Sequence, residues 1–326
     1  MDKKIKIAFI KFGGLSAGGT EKFLQTIAAN LSKENFEVTY FYCDSAPYIG
    51  SNYKHADTDL NRKTYMEKHD VNLIKFSVET KDITKRTHDW VNTNFWQKFD
   101  ENKYDIIQTG RAGHPEYPFY KIKRTPIIDS LHLSAGVDNQ YNISRVMHIT
   151  KWSSDKWIKM GGDRKRVVIV SQPMEIDPIK NNLRNKLNLN EKFIFGFHQR
   201  IDDNIFSPLP LEAYKKNETE KTEFLIMGGS NLYSEQAKKL EIKNFKQIPH
   251  SGKPQDIYDF LQTLNVYAHG RKDGEVNSTA IAEAMFFGLP IISHISSINN
   301  GHIECIGEAG MVVKNEIEYA GELKKY

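Results

Sequence analysis

The feature that most constrains this chain is an alternation of short apolar runs with longer amphipathic ones, repeated in two halves. "KIKIAFI" reads as a strand and "EKFLQTIAANLSKE" as a helix with apolar residues at 23, 24, 27, 28 and 31. "FEVTYFYC", "VNLIKFSV", "YDIIQTG" and "PIIDSLHL" read as further strands, with "HDWVNTNFWQKFDEN" as a helix between them. A polar, Asn- and Lys-rich stretch, "MEIDPIKNNLRNKLNLNEK", follows "RVVIVSQP", and the pattern restarts at "FIFGFHQ" and runs to "LPIISH". Strands separated by helices pair in parallel and carry helices on both faces. The chain therefore predicts an α/β protein of two doubly wound, Rossmann-like domains, 1–172 and 193–326, joined by a linker over 173–192. Two such sheets in tandem predict a cleft between the carboxyl ends of their strands, where sheets of this kind bind ligands.

Composition narrows the function classes. With 326 residues each half can bury its own core, and 39% hydrophobic against 26% charged residues is the balance of a globular chain. A net charge of +4 is too small to imply nucleic acid as a partner, and allows at most a peripheral contact with an anionic membrane. Cys43 and Cys305 lie far apart without CxxC spacing, which excludes a disulfide framework and a zinc motif and points to a reducing compartment. The longest apolar stretch, "AIAEAMFFGLPIIS", is broken by Glu283, Gly288 and Pro290 and falls short of a membrane span. The expectation is a cytoplasmic protein. The basic and aromatic segment "TKWSSDKWIKMGGDRKR" reads as packing, because Trp152 and Trp157 share no clear helical face.

Two segments carry chemistry. The first is "KFGGLSAGGTEKFLQTIAANLS", a glycine-rich junction between a strand and a helix. Thr20 and Glu21 stand where a nucleotide triphosphatase loop needs Lys and Ser or Thr, and the dinucleotide fingerprint is absent. The junction, with Thr20 near the cap, is either a tight turn or a helix start offering free amides to a phosphate. The second segment is "GRKDGEVNSTAIAEAMFFGLPIIS". Asn277 or Ser278 caps a helix there that runs to about Phe287, stopped by Gly288 and Pro290. Glu275 precedes the helix and Glu283 sits one turn into it, so two carboxylates flank an anion-binding helix start. A nucleotide sugar, with hydroxyls on both sides of a diphosphate, suits that pattern. By contrast, the Asp57-Thr58-Asp59 triplet reads as a solvated loop rather than a metal site. His114, His198 and His269 fall at strand ends without a motif around them.

These segments resemble the GT-B glycosyltransferases of the large retaining family 4. "GGTEKFLQTIAANLSKENFEV" is similar to the family's glycine pair, helix and second strand, and "FGFHQR" to its strand-to-arginine element. "FLIMGGS", the E-x7-E segment and "IGEAGMVV" complete the resemblance over nearly the whole chain. It implies a retaining, metal-independent glycosyltransferase, a hexosyltransferase that uses no cofactor. Such an enzyme moves a sugar from a nucleotide-sugar donor to a hydroxyl acceptor. Carried over by position, Gly18 and Gly19 let the backbone approach the diphosphate, and Arg200 neutralises the leaving phosphate. Glu275 holds donor sugar hydroxyls, Glu283 the ribose, and the amides of Val276, Asn277, Ser278 and Thr279 the diphosphate. His132 lines the sugar and acceptor pocket. The acceptor loops fall within Ser45 to His69 and Gly110 to Tyr120.

Three departures stand out. The lysine that follows the arginine in the family is replaced here by Ile205 and Phe206, leaving Arg271 or Lys272 as substitutes. Val276-Asn277-Ser278 replaces the usual Gly-Phe-Gly, and the chain ends at Tyr326, soon after "AGMVV". A non-catalytic binding module of the same fold, and a nucleotide-sugar epimerase or hydrolase, are the alternatives.

Overall fold

The structure is a computed structural model that describes residues 3–11, 15–16, 18–43, 58–77, 93–111, 121–133, 136–138, 142–176 and 179–326. It divides into two compact units, Met1–Pro173 and Met174–Tyr326. Among the described residues of the first, the strands are β1 (Ile5–Ile10), β2 (Phe36–Tyr42), β3 (Asn72–Lys75), β4 (Ile106–Arg111), β5 (Ile127–Leu131), β6 (Ile143–His148) and β7 (Val167–Ile169). They form one parallel sheet in the order β3-β2-β1-β4-β5-β6-β7. The helices are α1 (Gly19–Asn30), α2 (Leu60–Lys68), α3 (Phe95–Lys98) and α4 (Lys151–Lys159). Phe41 from β2 meets Phe95 and Phe99 edge-on, at ring-centroid distances of 5.7 and 5.5 Å, and anchors the sheet to α3.

The second unit continues with α5 (Arg184–Leu187), β8 (Phe193–Gln199), α6 (Leu209–Lys215), β9 (Thr222–Gly228), α7 (Leu232–Lys239), β10 (Phe245–Ile248), α8 (Pro254–Leu261) and β11 (Val266–Ala268). After them come β12 (Gly274–Glu275), α9 (Thr279–Phe286), β13 (Ile291–His294), β14 (Asn299–Asn300), α10 (Gly301–Ile306), β15 (Gly310–Val313) and α11 (Glu316–Leu323). Six of these strands make a parallel sheet, β10-β9-β8-β11-β13-β15, while β12 and β14 pair apart from it. Strand order reverses between β8 and β11. At that point the loops leaving neighbouring strands diverge and leave room for a ligand. Apolar runs buried on both faces, such as Ile194, Phe195 and Phe197 in β8 and Phe224 to Ile226 in β9, explain why these strands read as continuous rather than alternating.

The structure corrects several sequence expectations. The described part of "HDWVNTNFWQKFDEN" is α-helical only over Phe95–Lys98, with a 3-10 turn starting at Glu101. The domain boundary falls at Pro173, and much of the segment read as a linker packs on the second unit. There Leu183, Leu187 and Leu189 join the core, and the Asn265 side-chain oxygen Oδ1 accepts from both Ile194 N (2.8 Å) and the Arg184 guanidinium (2.7 Å). Asp59 is not a solvated loop residue but the N-cap of α2, accepting from the amides of Asn61 and Arg62. Asp57, His114, Gly14 and most of both acceptor loops lie outside the described residues. Trp157 is buried and Trp152 half-buried beneath Lys156, in keeping with packing. Among the described residues no helix is long and apolar enough to cross a membrane.

Gly196 marks where β8, β9 and the core meet most tightly, since a Cβ there would lie 2.0 Å from the Leu225 carbonyl oxygen. Because backbone cannot swing aside, Gly196→Ala should lower the second domain's stability by about 2 kcal/mol. Urea unfolding checks this; an unchanged midpoint would show that the two strands are not packed this closely.

Candidate donor-binding site

All the chemistry-bearing residues of the second domain stand at the carboxyl edge of its sheet. Ser278 is the N-cap of α9: its hydroxyl accepts from Ile281 N at 3.2 Å, which satisfies one of the orphan amides of the first turn. The same hydroxyl donates to Glu275 Oε1 at 2.9 Å. Glu275 lies in β12 rather than in an open loop, and that strand pairs with Asn299 and Asn300. The turn into it needs Gly274, whose φ is +58° and whose Cβ, if present, would sit 1.9 Å from the Asn299 carbonyl oxygen.

The Glu275 carboxylate is nearly enclosed. His269 Nε2 stands 3.2 Å from its Oε1 and Arg271 Nη1 3.7 Å from its Oε2. Burial pushes the carboxyl up, but the hydrogen bond from His269, the neighbouring charge of Arg271 and the Ser278 hydroxyl hold it below the ordinary glutamate value. Burial also lowers His269, so the pair is best described as a neutral imidazole donating to a carboxylate. Ser293 Oγ, 2.8 Å from His269 Nδ1, then donates to that nitrogen and fixes the tautomer. Arg271 is clipped to Asp273 through two hydrogen bonds of 2.6 and 3.0 Å.

Glu283, largely buried on α9, is engaged by His198 at 3.0 Å, and the Tyr267 hydroxyl donates to the His198 carbonyl oxygen at 3.2 Å. Gly228 and Gly229, both with φ of +73°, turn the chain away at the neighbouring end of β9. Arg200, at the end of β8, is half-exposed and holds Asp202 at 2.7 and 3.1 Å. The Asp202 carboxyl lies below its ordinary range through that arginine. Ile205 is buried, so the position of the missing lysine is used for packing. The Lys272 amide donates to the Ile205 carbonyl oxygen at 3.1 Å, so the backbone of the Arg271–Lys272 pair runs directly beside that position.

The first-domain residues sit at the carboxyl edge of the other sheet. Gly18 is the N-cap of α1, with no side-chain cap, and Thr20 lies in the first turn. The Glu21 carboxylate folds over it and pairs at 3.5 Å with Lys11, which is fully buried at the end of β1. His132 is buried, and burial together with the Lys11 charge pushes its imidazole down to about 3. Its Nε2 has no partner, and Phe23 packs edge-on against the ring at 4.6 Å. The second-domain residues Arg200, Glu275, Val276, Asn277, Ser278, Thr279 and Glu283 are thus gathered along one sheet edge and helix start, while Gly18, Gly19 and His132 belong to the other unit. His198, His269, His294 and His302 are functional candidates that no motif singled out. Among the described residues no group of three or more His, Cys, Asp or Glu is arranged to hold a metal ion.

Residues 179–325 match the family model of glycosyl transferases group 1. The second domain carries that family's pattern. No curated protein matches the chain. Anabaena Alr3699/HepE, solved in complex with UDP and glucose, superposes with a TM-score of 0.70 at 17% identity, covering 98% of this chain and 89% of that one. A glycosyltransferase from Rickettsia africae gives 0.70 at 13% identity over 99% of this chain and 89% of that one. The lipopolysaccharide outer core galactosyltransferase WaaB gives 0.65 at 17% identity over 98% and 90%. At these identities the likeness establishes the fold, two Rossmann-like domains of the GT-B type.

Ser278 couples helix capping to the acid. Ser278→Ala should cost about 1–2 kcal/mol of stability, through the lost cap and the Glu275 oxygen left short of a donor. Guanidinium unfolding of the variant measures it, and a midpoint equal to wild type would contradict the coupling.

Proposed function

We propose that this chain is a retaining, metal-independent glycosyltransferase that moves a hexosyl group from a nucleotide-sugar donor to a hydroxyl acceptor. The observation that carries the reading is the ionised, enclosed Glu275 beside the capped start of α9, in a domain that matches the group 1 model. A relative of the same fold holds UDP and glucose, which supports a nucleotide sugar as the ligand.

In this mechanism the free amides at the start of α9 and the half-exposed Arg200 take the charge that grows on the departing diphosphate. Phosphate oxygens displace Asp202 from Arg200, an exchange made cheap by solvent exposure of that ion pair. Arg271 supplies fixed positive charge where the family's lysine is missing. Glu275, an acceptor only, binds donor sugar hydroxyls, and Glu283 binds the ribose. Gly18, Gly19 and His132 of the first domain keep the donor-contact roles that the family resemblance gives them. Without a metal, the leaving group is stabilised wholly by helix amides and arginines. The acceptor's proton passes to the leaving phosphate as the new glycosidic bond forms. A cytoplasmic location, with access to acceptors at a membrane surface, fits this chemistry.

One observation favours a second reading. Ile205 is buried, and both arginines are already engaged by Asp202 and Asp273, as they would be in a binding module that no longer turns over. Calorimetry with UDP, GDP and their sugars separates the two: binding of one of them supports the transferase, and binding of none supports the module. Given a donor, Glu275→Ala should lower transfer at least about a hundredfold, the loss expected for a buried charged contact at the reacting sugar. Wild-type turnover in a folded variant would remove Glu275 from the mechanism. Glu283→Gln should weaken UDP binding about tenfold, as expected when a charged hydrogen-bond acceptor becomes neutral; an unchanged dissociation constant would remove its ribose role.

A further inference from the structure

Three fully or nearly buried histidines, His269, His294 and His302, crowd beneath the segment that carries Glu275, with ring centroids 5.4 to 6.4 Å apart. Only His269 touches the carboxylate. The other two grip the backbone at the two ends of its segment. Arg271 N donates to His294 Nε2 at 3.1 Å, and Glu275 N donates to His302 Nδ1 at 3.2 Å.

Each ring is locked in the tautomer that this requires. His294 Nδ1 faces the Ile295 carbonyl oxygen at 3.1 Å, and His302 Nε2 faces the His294 carbonyl oxygen at 3.0 Å. A carbonyl can only accept, so those two nitrogens carry the protons and the opposite nitrogens present lone pairs to the loop amides. The rings also form a series: the backbone of His294, held at one end of the segment, orients His302 at the other.

We infer that His294 and His302 are positioning residues of the donor site, neutral imidazoles that bracket residues 271–275 and thereby set where Glu275 and Arg271 stand. The inference rests on the donor-site reading proposed above. Neither histidine touches the Glu275 carboxylate; each acts through the peptide that carries it. A protonated ring breaks the bracket in a defined way. On His294 it sets N–H against the Arg271 N–H. On His302 it exchanges the Glu275 amide for the Glu275 carbonyl oxygen, 3.4 Å from the same nitrogen, and so turns that peptide.

The charged and titratable groups facing the brackets are His269 from the end of β11 and Arg271 and Glu275 from the segment itself, while Cys305 from α10 faces Glu275 and Ser278. Glu275 favours protonation of His302. Burial opposes it first and the adjoining His269 ring, which would repel it if both were protonated, second, and His302 lies below the ordinary histidine value. Burial likewise lowers His294. A histidine depressed in the folded state contributes stability that is full above its unfolded value and is lost as pH falls below it. The brackets therefore hold at neutral pH and weaken in acid.

The test compares wild type, His302→Asn and His302→Leu, because Asn Oδ1 replaces the Nδ1 acceptor and Leu removes it. Amide hydrogen exchange reads the bracket and calorimetry with UDP and with UDP-glucose reads the site. In His302→Leu the Glu275 amide should exchange at least about tenfold faster, and affinity for UDP-glucose should fall by a larger factor than affinity for UDP. His302→Asn should restore both. Equal exchange in all three proteins, or an Asn variant no better than Leu, overturns the bracket. Wild type that binds none of UDP, GDP and their sugars overturns instead the donor-site reading, and with it the site that the brackets serve.

Discussion

The interaction on which the second domain's sheet edge depends is the burial of the Glu275 carboxylate among donors. An isolated carboxylate taken out of water costs several kcal/mol, and a chain tolerates it only when hydrogen bonds and opposite charge make up the loss. Here His269, Ser278 and Arg271 do so from the end of β11, the start of α9 and the connecting segment. Ser278 ties the acid to the helix start, so the carboxylate and the helix amides keep a fixed relation. Gly274 lets the segment turn against Asn299 where no side chain fits. The result is an acceptor group already ordered and ionised beside the positive end of a helix.

Much of this was legible in the sequence because the signals were local. The strands announced themselves as apolar runs and α9 by its serine cap and the Gly288 stop, whose φ of +72° is that of a left-handed terminus. Glu275 and Glu283 could be paired on spacing alone. The histidine partners could not: His198, His269, His294 and His302 come from separate segments, and only the order β8-β11-β13 sets the first three side by side. A histidine at a strand end has no signature until its neighbours are known. The linker was misjudged for a related reason. Asn- and Lys-rich composition concealed Leu183, Leu187 and Leu189, whose partners lie some eighty residues further along, near Thr263 and Asn265.

The two arginines illustrate how similar local pairs differ by environment. Arg200–Asp202 and Arg271–Asp273 share the same i,i+2 spacing, yet the first guanidinium is 56% exposed and the second 17%. Solvent screens the first pair, so an incoming anion can replace Asp202 at little cost. The second pair is enclosed and oriented by two short hydrogen bonds, so Arg271 is a fixture of the site rather than a mobile clamp. On the donor-site reading, one arginine closes on the diphosphate and the other shapes the field it enters.

The most direct test of this account is an amide chemical-shift titration of the labelled protein with UDP-glucose. It predicts that the changes concentrate at Arg200, Glu275, the first turn of α9 and Glu283, four places that only the folded sheet edge brings together. Saturable changes confined to another surface, with those amides unmoved, would contradict it.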